Sequence, residues 1–422
     1  MPDDLQVNEV ISASASKAQD AASLLGAAPD EAVDTALRGM GRHLMEATET
    51  VLAANRADLD AAVAANMSAG LVDRLRLDAG RLTGMSDQLK VLAGLEPGPR
   101  RTTVRELPGG LTLQEWRRPV GVIGANFEAR PNVAVDIASQ LIKSRNAGVL
   151  RTGSAALRSA IALIEQVVAP ALDEAGLPPD AIQLIRVPGH ESATALVSQP
   201  RLIPLVILRG SGDSTRKLAR QAALRGVRTL AHADGGAVLY LHRAADRSRS
   251  ERLINASLDR LGVCNRLNLL LIDRSAWDQT VPWVTEVLGS RQPSIRAMLP
   301  PHRDPIGYEW ALNGEAEATV TIAPADGPND AARIANQHTS GLAAAIVSED
   351  SAAATEFLTT YAGTGGFWNA TTRLLDGFKL LAAPETGINV DRVPGPRGPV
   401  TFRDLHLRQH VVVPAMRADE LI

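Results

Sequence analysis

The sequence has little of several things that would declare a function outright. It holds one cysteine in 422 residues, which excludes an intrachain disulfide framework and a cysteine-based zinc site. Aromatic residues make up only 3%, so the cores are expected to be aliphatic. A formal net charge of -3 gives no electrostatic ground for nucleic acid or an anionic membrane as a partner. No uninterrupted apolar run reaches the ~18 residues of a membrane span, and the acidic start Met1-Pro2-Asp3-Asp4 is unlike a signal peptide. There is no Gly-x-Ser-x-Gly elbow of a serine hydrolase, no GxGxxG dinucleotide fingerprint and no internal repeat. The expectation is a cytoplasmic protein.

What is present is the composition of an ordinary soluble enzyme, 45% hydrophobic and 22% charged. The length calls for two or three domains of roughly 100–200 residues. Up to about residue 100 the apolar residues recur at three- and four-residue spacing, predicting helices over 13–25, 30–54 and 58–65. Residues 109–118 alternate and read as an exposed strand or hairpin. Then the texture changes. Short apolar runs at 120–124, 148–151, 182–187 and 202–208 alternate with helical patterns at 133–143, 155–175 and 192–198. That is an α/β domain with a mostly parallel sheet, whose ligands belong at the carboxyl ends of the strands. A second α/β unit starts near Gly235, with strands at 237–241, 268–272, 319–323 and 342–347 and helices at 248–261, 276–288, 329–337 and 351–361. The expected division is 1–108 with 119–234 as a cofactor domain, 235–376 as a catalytic domain, and 109–118 with 394–422 as a small β element for oligomerisation.

The strand ends carry the candidate binding residues. Gly153-Ser154 and Gly210-Ser211-Gly212 each lead into a helix, where free N–H groups favour phosphate. Gly-Ser-Gly loops are also common as plain turns and caps. Three polar ends in one sheet suggest a dinucleotide, and Arg151 suits a 2′-phosphate or ribose hydroxyls, favouring NADP. Cys264, in Gly262-Val263-Cys264-Asn265-Arg266, lies between a helical pattern and an apolar strand. A thiol there could be a nucleophile, or simply a small buried hydrophobe. His406 and His410 sit at i,i+4, but Val411-Val412-Val413 argues for a strand there. With no third ligand in sight, no metal is expected.

Three segments together resemble the γ-glutamyl phosphate reductase family, the glutamate-5-semialdehyde dehydrogenases of proline biosynthesis within the aldehyde dehydrogenase superfamily. They are Val120-Gly121-Val122-Ile123-Gly124 running on to Glu128-Ala129-Arg130-Pro131-Asn132-Val133, then Val263-Cys264-Asn265 followed by Leu269-Leu270-Leu271, and Asn369-Ala370-Thr371-Thr372-Arg373. The resemblance extends from near residue 10 to near residue 413. It implies an aldehyde dehydrogenase-like α/β fold, NADPH as cofactor, an acyl phosphate substrate, a homo-oligomer, and the upstream glutamate kinase as a partner. It implies a Cys264 thioester, with the backbone N–H of Cys264 and the side chain of Asn132 holding the oxyanion. Arg130 competes for that role or holds the leaving phosphate. Asn265, Asn369, Arg373, Glu385 and Arg397 are implied at the substrate. Glu309 resembles the glutamate that orients the nicotinamide ribose. The hydrolytic base of the superfamily is replaced by Asp234, which reads better as a turn residue before Gly235-Gly236. The chain departs from the family over 378–399, where a Gly-rich stretch becomes Phe378-Lys379-Leu380-Leu381. A paralogue acting on a related acyl phosphate, a hydrolytic aldehyde dehydrogenase and a non-catalytic scaffold are the alternatives.

Overall fold

The computed structural model describes residues 4–67, 69–210, 212–232, 235–391 and 395–417. The chain forms two compact units. One comprises Met1–Ala231, Ala383–Gly387 and Val400–Ile422; the other comprises His232–Ala382 and Ile388–Pro399.

In the first unit the N-terminal residues are helical as expected, over Asp4–Ala27, Asp30–Glu46, Thr48–Ala64, Ala69–Leu75 and Ala79–Gly94. The break that the sequence placed after residue 54 lies at Ala47. There the N–H of Ala47 bonds back to His43 O, and Thr48 Oγ1 donates to Met45 O at 2.8 Å. No Gly or Pro marks this turn, so the apolar spacing runs through it unchanged. Helix Asp30–Glu46 buries Val33, Ala36, Leu37, Met40 and Leu44 on one face. Helix Thr48–Ala64 instead uses polar staples. The buried Asp58 carboxylate accepts from Ser159 N at 2.8 Å and Ser159 Oγ at 2.7 Å.

Five strands form the sheet of this unit, in the order Ile182–Ile185, Ala147–Thr152, Val122–Phe127, Leu205–Arg209, Arg228–His232. The first four run parallel, with Val122 opposite Ala147, Ile123 opposite Leu205 and Gly148 opposite Ile182. Every residue of Val122–Phe127 and Ala147–Thr152 is buried, as a strand covered on both faces requires. The edge strand Arg228–His232 escaped the sequence reading because it buries only Ala231. The order reverses between Val122–Phe127 and Leu205–Arg209, which makes their carboxyl ends a topological switch point.

One helical stretch does meet the length and hydropathy of a membrane span: Ser154–Glu174, with mean hydropathy 1.4. A count of uninterrupted apolar residues missed it because Arg158 and Glu165 break the run. It is a core element, burying Ala160, Leu163, Val167, Val168, Ala171 and Leu172. Its π-helical turn Ile164–Val168 precedes Pro170, where the missing N–H of proline would otherwise interrupt the α ladder. A three-stranded antiparallel sheet completes the unit: Arg101–Leu107, Leu111–Pro119 and His406–Pro414, with Trp116 opposite Gln409.

The second unit has a six-stranded, fully parallel sheet in the order Arg296–Met298, Thr319–Ala325, Leu267–Asp273, Ala237–Leu241, Ala343–Val347, Gly365–Trp368. Apolar clusters cover both faces. One gathers Tyr240, Leu269, Ile346 and Phe357; the other gathers Leu239, Leu270, Ile322 and Val284. The helix expected over 248–261 is shorter, Arg247–Ala256. Beyond it Ser257 O accepts from Leu267 N at 2.8 Å, so the chain folds back at once and 261–266 becomes a bend.

Candidate active site

The bend carries Cys264 at the amino end of strand Leu267–Asp273, not at the carboxyl end where ligands of parallel sheets usually lie. Its thiol is half-buried. It packs at the rim of a small apolar cluster of Ala237, Leu342, Ala343, Leu375 and Ile388. The neighbouring amino-edge turn, Gly235-Gly236, is pinned to it, with Gly236 N donating to Cys264 O at 2.7 Å. A β-carbon on Gly235 would stand 2.7 Å from Cys264 Cβ and 2.4 Å from Glu309 Oε1. These two distances bound Oε1 to at most 5.1 Å (2.4 plus 2.7) from Cys264 Cβ. Glu309 Oε2 accepts from Gly235 N at 2.9 Å. The segment bearing Glu309 is clamped by Asn268, whose Nδ2 donates to Tyr308 O at 2.6 Å and whose Oδ1 accepts from Trp310 N at 2.9 Å. Cys264, Gly235 and Glu309 thus form one tight group. Sequence reasoning found the first and third but missed Gly235, because only the sheet brings these distant positions together. Asp234, the candidate hydrolytic base, lies outside the described residues.

Asn265 is buried behind the thiol. Its Nδ2 donates to Leu375 O at 2.9 Å, its carbonyl accepts from Thr372 Oγ1 at 2.9 Å, and its Oδ1 accepts from Arg373 Nη1. Arg373 Nε also reaches Asp259 Oδ1 at 2.6 Å. Asn265 and Arg373 therefore brace the bend against 371–375. Asn369 has a left-handed backbone, φ +50, a conformation asparagine tolerates. Its side chain closes a double bridge to Ser348, accepting from Ser348 N and donating to Ser348 O, both at 3.0 Å. The substrate contacts expected of these three meet side chains already engaged in holding the backbone. Arg397 is exposed, donating to Ala362 O at 3.1 Å and Thr364 Oγ1 at 3.3 Å. Glu385 is partly buried and belongs to the first unit.

The remaining candidates lie at strand ends of the first unit. Ala129, with φ +46, turns the chain sharply after Phe127 and leaves Arg130 exposed. Asn132 opens helix Asn132–Lys143, and its Nδ2 donates to Asp136 Oδ2 at 2.9 Å. Burial pushes the Asp136 carboxyl up to about 6, against the opposing pull of Arg209, Asn132 and Arg130. Arg151 is 5% exposed. Its Nε donates to Ser192 Oγ and its Nη1 to Asn126 Oδ1, both at 3.1 Å, and its Nη2 donates to Gly189 O. The expected cofactor-phosphate ligand is instead a brace among strand ends, and burial lowers its pKa. Gly153 has open space where a β-carbon would project, and the exposed Ser154 begins the long helical stretch. That pair fits the phosphate of a nicotinamide cofactor. Gly210 is different. The Glu128 carboxylate comes within 3.1 Å of a β-carbon built there, and Ser214 Oγ donates to Glu128 Oε1 at 3.1 Å. The switch point at Gly210 and Gly212 thus already holds an internal anion. Ser211 lies outside the described residues. Among the described residues no group of three or more His, Cys, Asp or Glu is placed to hold a metal.

The comparisons with known proteins give the family. The aldehyde dehydrogenase family model matches residues 4–293. The chain is 33% identical over 407 residues to a gamma-glutamyl phosphate reductase of Clavibacter michiganensis, covering 94% of this chain and 92% of the relative. It is 33% identical over 404 residues to the enzyme of that name from Zymomonas mobilis, covering 94% and 93%. The crystal structure of gamma-glutamyl phosphate reductase from Thermotoga maritima superposes with a TM-score of 0.88 at 25% identity, over 96% of this chain and 98% of that one. The chain belongs to the aldehyde dehydrogenase family, and within it to the gamma-glutamyl phosphate reductases.

Proposed function

We propose that this chain reduces L-glutamyl 5-phosphate to L-glutamate 5-semialdehyde and phosphate with NADPH, in proline biosynthesis. The observation that carries the reading is Cys264 itself: the sole thiol, half-buried, on a bend fixed by Gly236, Asn265 and Arg373. Its thiolate attacks the acyl carbon, the carbon–oxygen bond to phosphate breaks, and phosphate leaves with the electron pair. A thioester on Cys264 remains. A bound nicotinamide cofactor would supply the hydride that reduces this thioester, and collapse of the thiohemiacetal on Cys264 would return the thiolate and free the aldehyde. Developing negative charge on the acyl oxygen needs donors. The backbone N–H of Cys264 and the side chain of Asn132 are the proposed pair, with Arg130 for the oxyanion or the leaving phosphate.

Gly153 and Ser154 are the favoured cofactor contacts, and Glu309 the favoured contact to the nicotinamide ribose. The exposed sheet of Arg101–Leu107, Leu111–Pro119 and His406–Pro414 is the proposed oligomerisation surface. The upstream glutamate kinase is the proposed partner, and the cytoplasm the proposed site of action.

The reaction is tested in reverse. Glutamate semialdehyde and NADP are supplied with and without phosphate to the wild type and to Cys264→Ala. Phosphate-dependent NADPH formation that the variant lacks supports the reading. Turnover without phosphate favours the second reading, a hydrolytic aldehyde dehydrogenase. One observation gives that alternative standing: the Glu309 carboxylate lies at most 5.1 Å (2.4 plus 2.7) from Cys264 Cβ, where it could activate water.

A further inference from the structure

Two residues beyond the thiol, the chain buries a full positive charge. Arg266 is 0% exposed. Its Nη2 donates to Thr319 O at 2.8 Å, whereas Nε and Nη1 have no hydrogen-bond partner among the described residues. Burying a guanidinium costs several kcal/mol unless it is well compensated, and donors left unmade add to that cost. Loop arginines ordinarily reach solvent. This one points inward because Arg266 ends the bend just before strand Leu267–Asp273, and the adjacent strand Thr319–Ala325 offers its first carbonyl.

The compensation comes from carboxylates around the bend. Burial brings the Arg266 guanidinium down to about 10, while Glu317 and Glu309 hold it up, so it stays protonated at neutral pH. Glu317 Oε2 lies 3.8 Å from a β-carbon built on Gly262. Glu309 Oε1 is at most 5.1 Å (2.4 plus 2.7) from Cys264 Cβ. The bend therefore has one carboxylate beside Gly262, another beside Cys264, and a buried cation two residues beyond the thiol. Also packed against it are Arg373 with Asp259, and Arg291, whose Nη2 donates to Leu258 O at 2.6 Å. A nucleophilic cysteine acts as the thiolate, which nearby anions disfavour and nearby cations favour.

We propose that Arg266 is a positioning residue for Cys264: its buried charge offsets Glu309 beside the thiol and Glu317 beside Gly262, allowing the thiol to ionise. The inference rests on the reading of Cys264 as the nucleophile, but not on the substrate assigned to it.

The test is the rate of Cys264 alkylation by iodoacetamide from pH 5.5 to 9.5, on the full chain without substrate. With one cysteine, every adduct reports this site. In Arg266→Met the midpoint should rise by about one pH unit, and Arg266→Lys should restore most of the shift. Glu309→Gln and Glu317→Gln should each move the midpoint down. Unchanged midpoints in folded Arg266→Met and Glu309→Gln overturn the proposal. Should Arg266→Met fail to fold, the two glutamine variants decide alone, and unshifted midpoints in both overturn it. Loss of the phosphate-dependent reverse reaction would instead count against the substrate reading, since alkylation needs no substrate.

Discussion

Gly235 approaches Cys264 so closely that any side chain on it would contact the backbone carrying the thiol. A β-carbon would meet Cys264 Cα and Cβ at 2.7 Å and Glu309 Oε1 at 2.4 Å. Glu309 can swing aside, but Cys264 Cα cannot move without its whole bend. Gly235→Ala should therefore displace the thiol, with a stability cost of about 1–3 kcal/mol from overpacking and a loss in kcat of about 10²-fold. Thermal melting and steady-state kinetics on the same preparation check both. Retention of the full rate would mean the turn relaxes away from Cys264 freely.

Arg373 gives a second expectation. Its guanidinium joins Asn265 Oδ1 to Asp259, which it meets at 2.6 Å. Arg373→Ala leaves the Asn265 oxygen without that donor behind the thiol. The expected result is a kcat reduced about 10- to 100-fold (roughly 1.4–2.7 kcal/mol, comparable to the ~1.5–3 kcal/mol of hydrogen bonds to charged groups) with little change in KM. Arg373→Lys should fall between. A large rise in the acyl phosphate KM at constant kcat would instead make Arg373 a direct ligand of substrate.

Arg151 separates two roles that look alike in sequence. Its three donor nitrogens are committed to Ser192, Asn126 and Gly189. Arg151→Met should destabilise the first unit by about 2–3 kcal/mol, read by urea unfolding. The ratio of activity with NADP to that with NAD should stay within about threefold of wild type, because the guanidinium nitrogens already donate to Ser192, Asn126 and Gly189. A tenfold fall in that ratio, about 1.4 kcal/mol of binding, would return Arg151 to the cofactor.

These residues show which features a sequence displays and which it hides. Val120 to Gly124 and Leu269 to Ile272 are continuous apolar runs, so the parallel sheets were legible, and so was the connection that bears the lone cysteine ahead of Leu267–Asp273. The edge strand Arg228–His232 gave no such signal, since it buries one residue and reads as a loop, whereas the opposite edge, Ile182–Ile185, was legible as an apolar run. The helix break at Ala47 was silent because alanine-rich sequence has no punctuation. Within the site, Cys264 and Glu309 were legible as residue types in suggestive settings. Gly235, Arg266 and Glu128 were not. A glycine's close approach, an arginine turned inward and a carboxylate filling a phosphate loop are all consequences of tertiary packing, which no local pattern encodes. Asn369 and Arg373 were legible as a motif, yet their hydrogen bonds go to the chain's own backbone and side chains.

Asp136 offers a test in which the sign is decisive. Its carboxyl titrates at about 6 in the folded chain against a reference of 3.8, with burial as the leading cause and Arg209, Asn132 and Arg130 opposing it. A carboxyl whose folded value is raised contributes stability that is fully present below the unfolded value and lost as pH climbs through the folded one. The window is therefore pH 3.8 to about 6, and the shift of about two units corresponds to something on the order of 3 kcal/mol. Asp136→Asn removes the titration while keeping an oxygen to accept from Asn132. Relative to wild type, the variant should thus gain stability between pH 4 and pH 7, by up to that amount. Urea unfolding of both proteins at the two pH values measures the difference directly. A difference that does not change with pH would mean that Asp136 binds its proton equally in the folded and unfolded states, with solvent or Arg209 offsetting its burial.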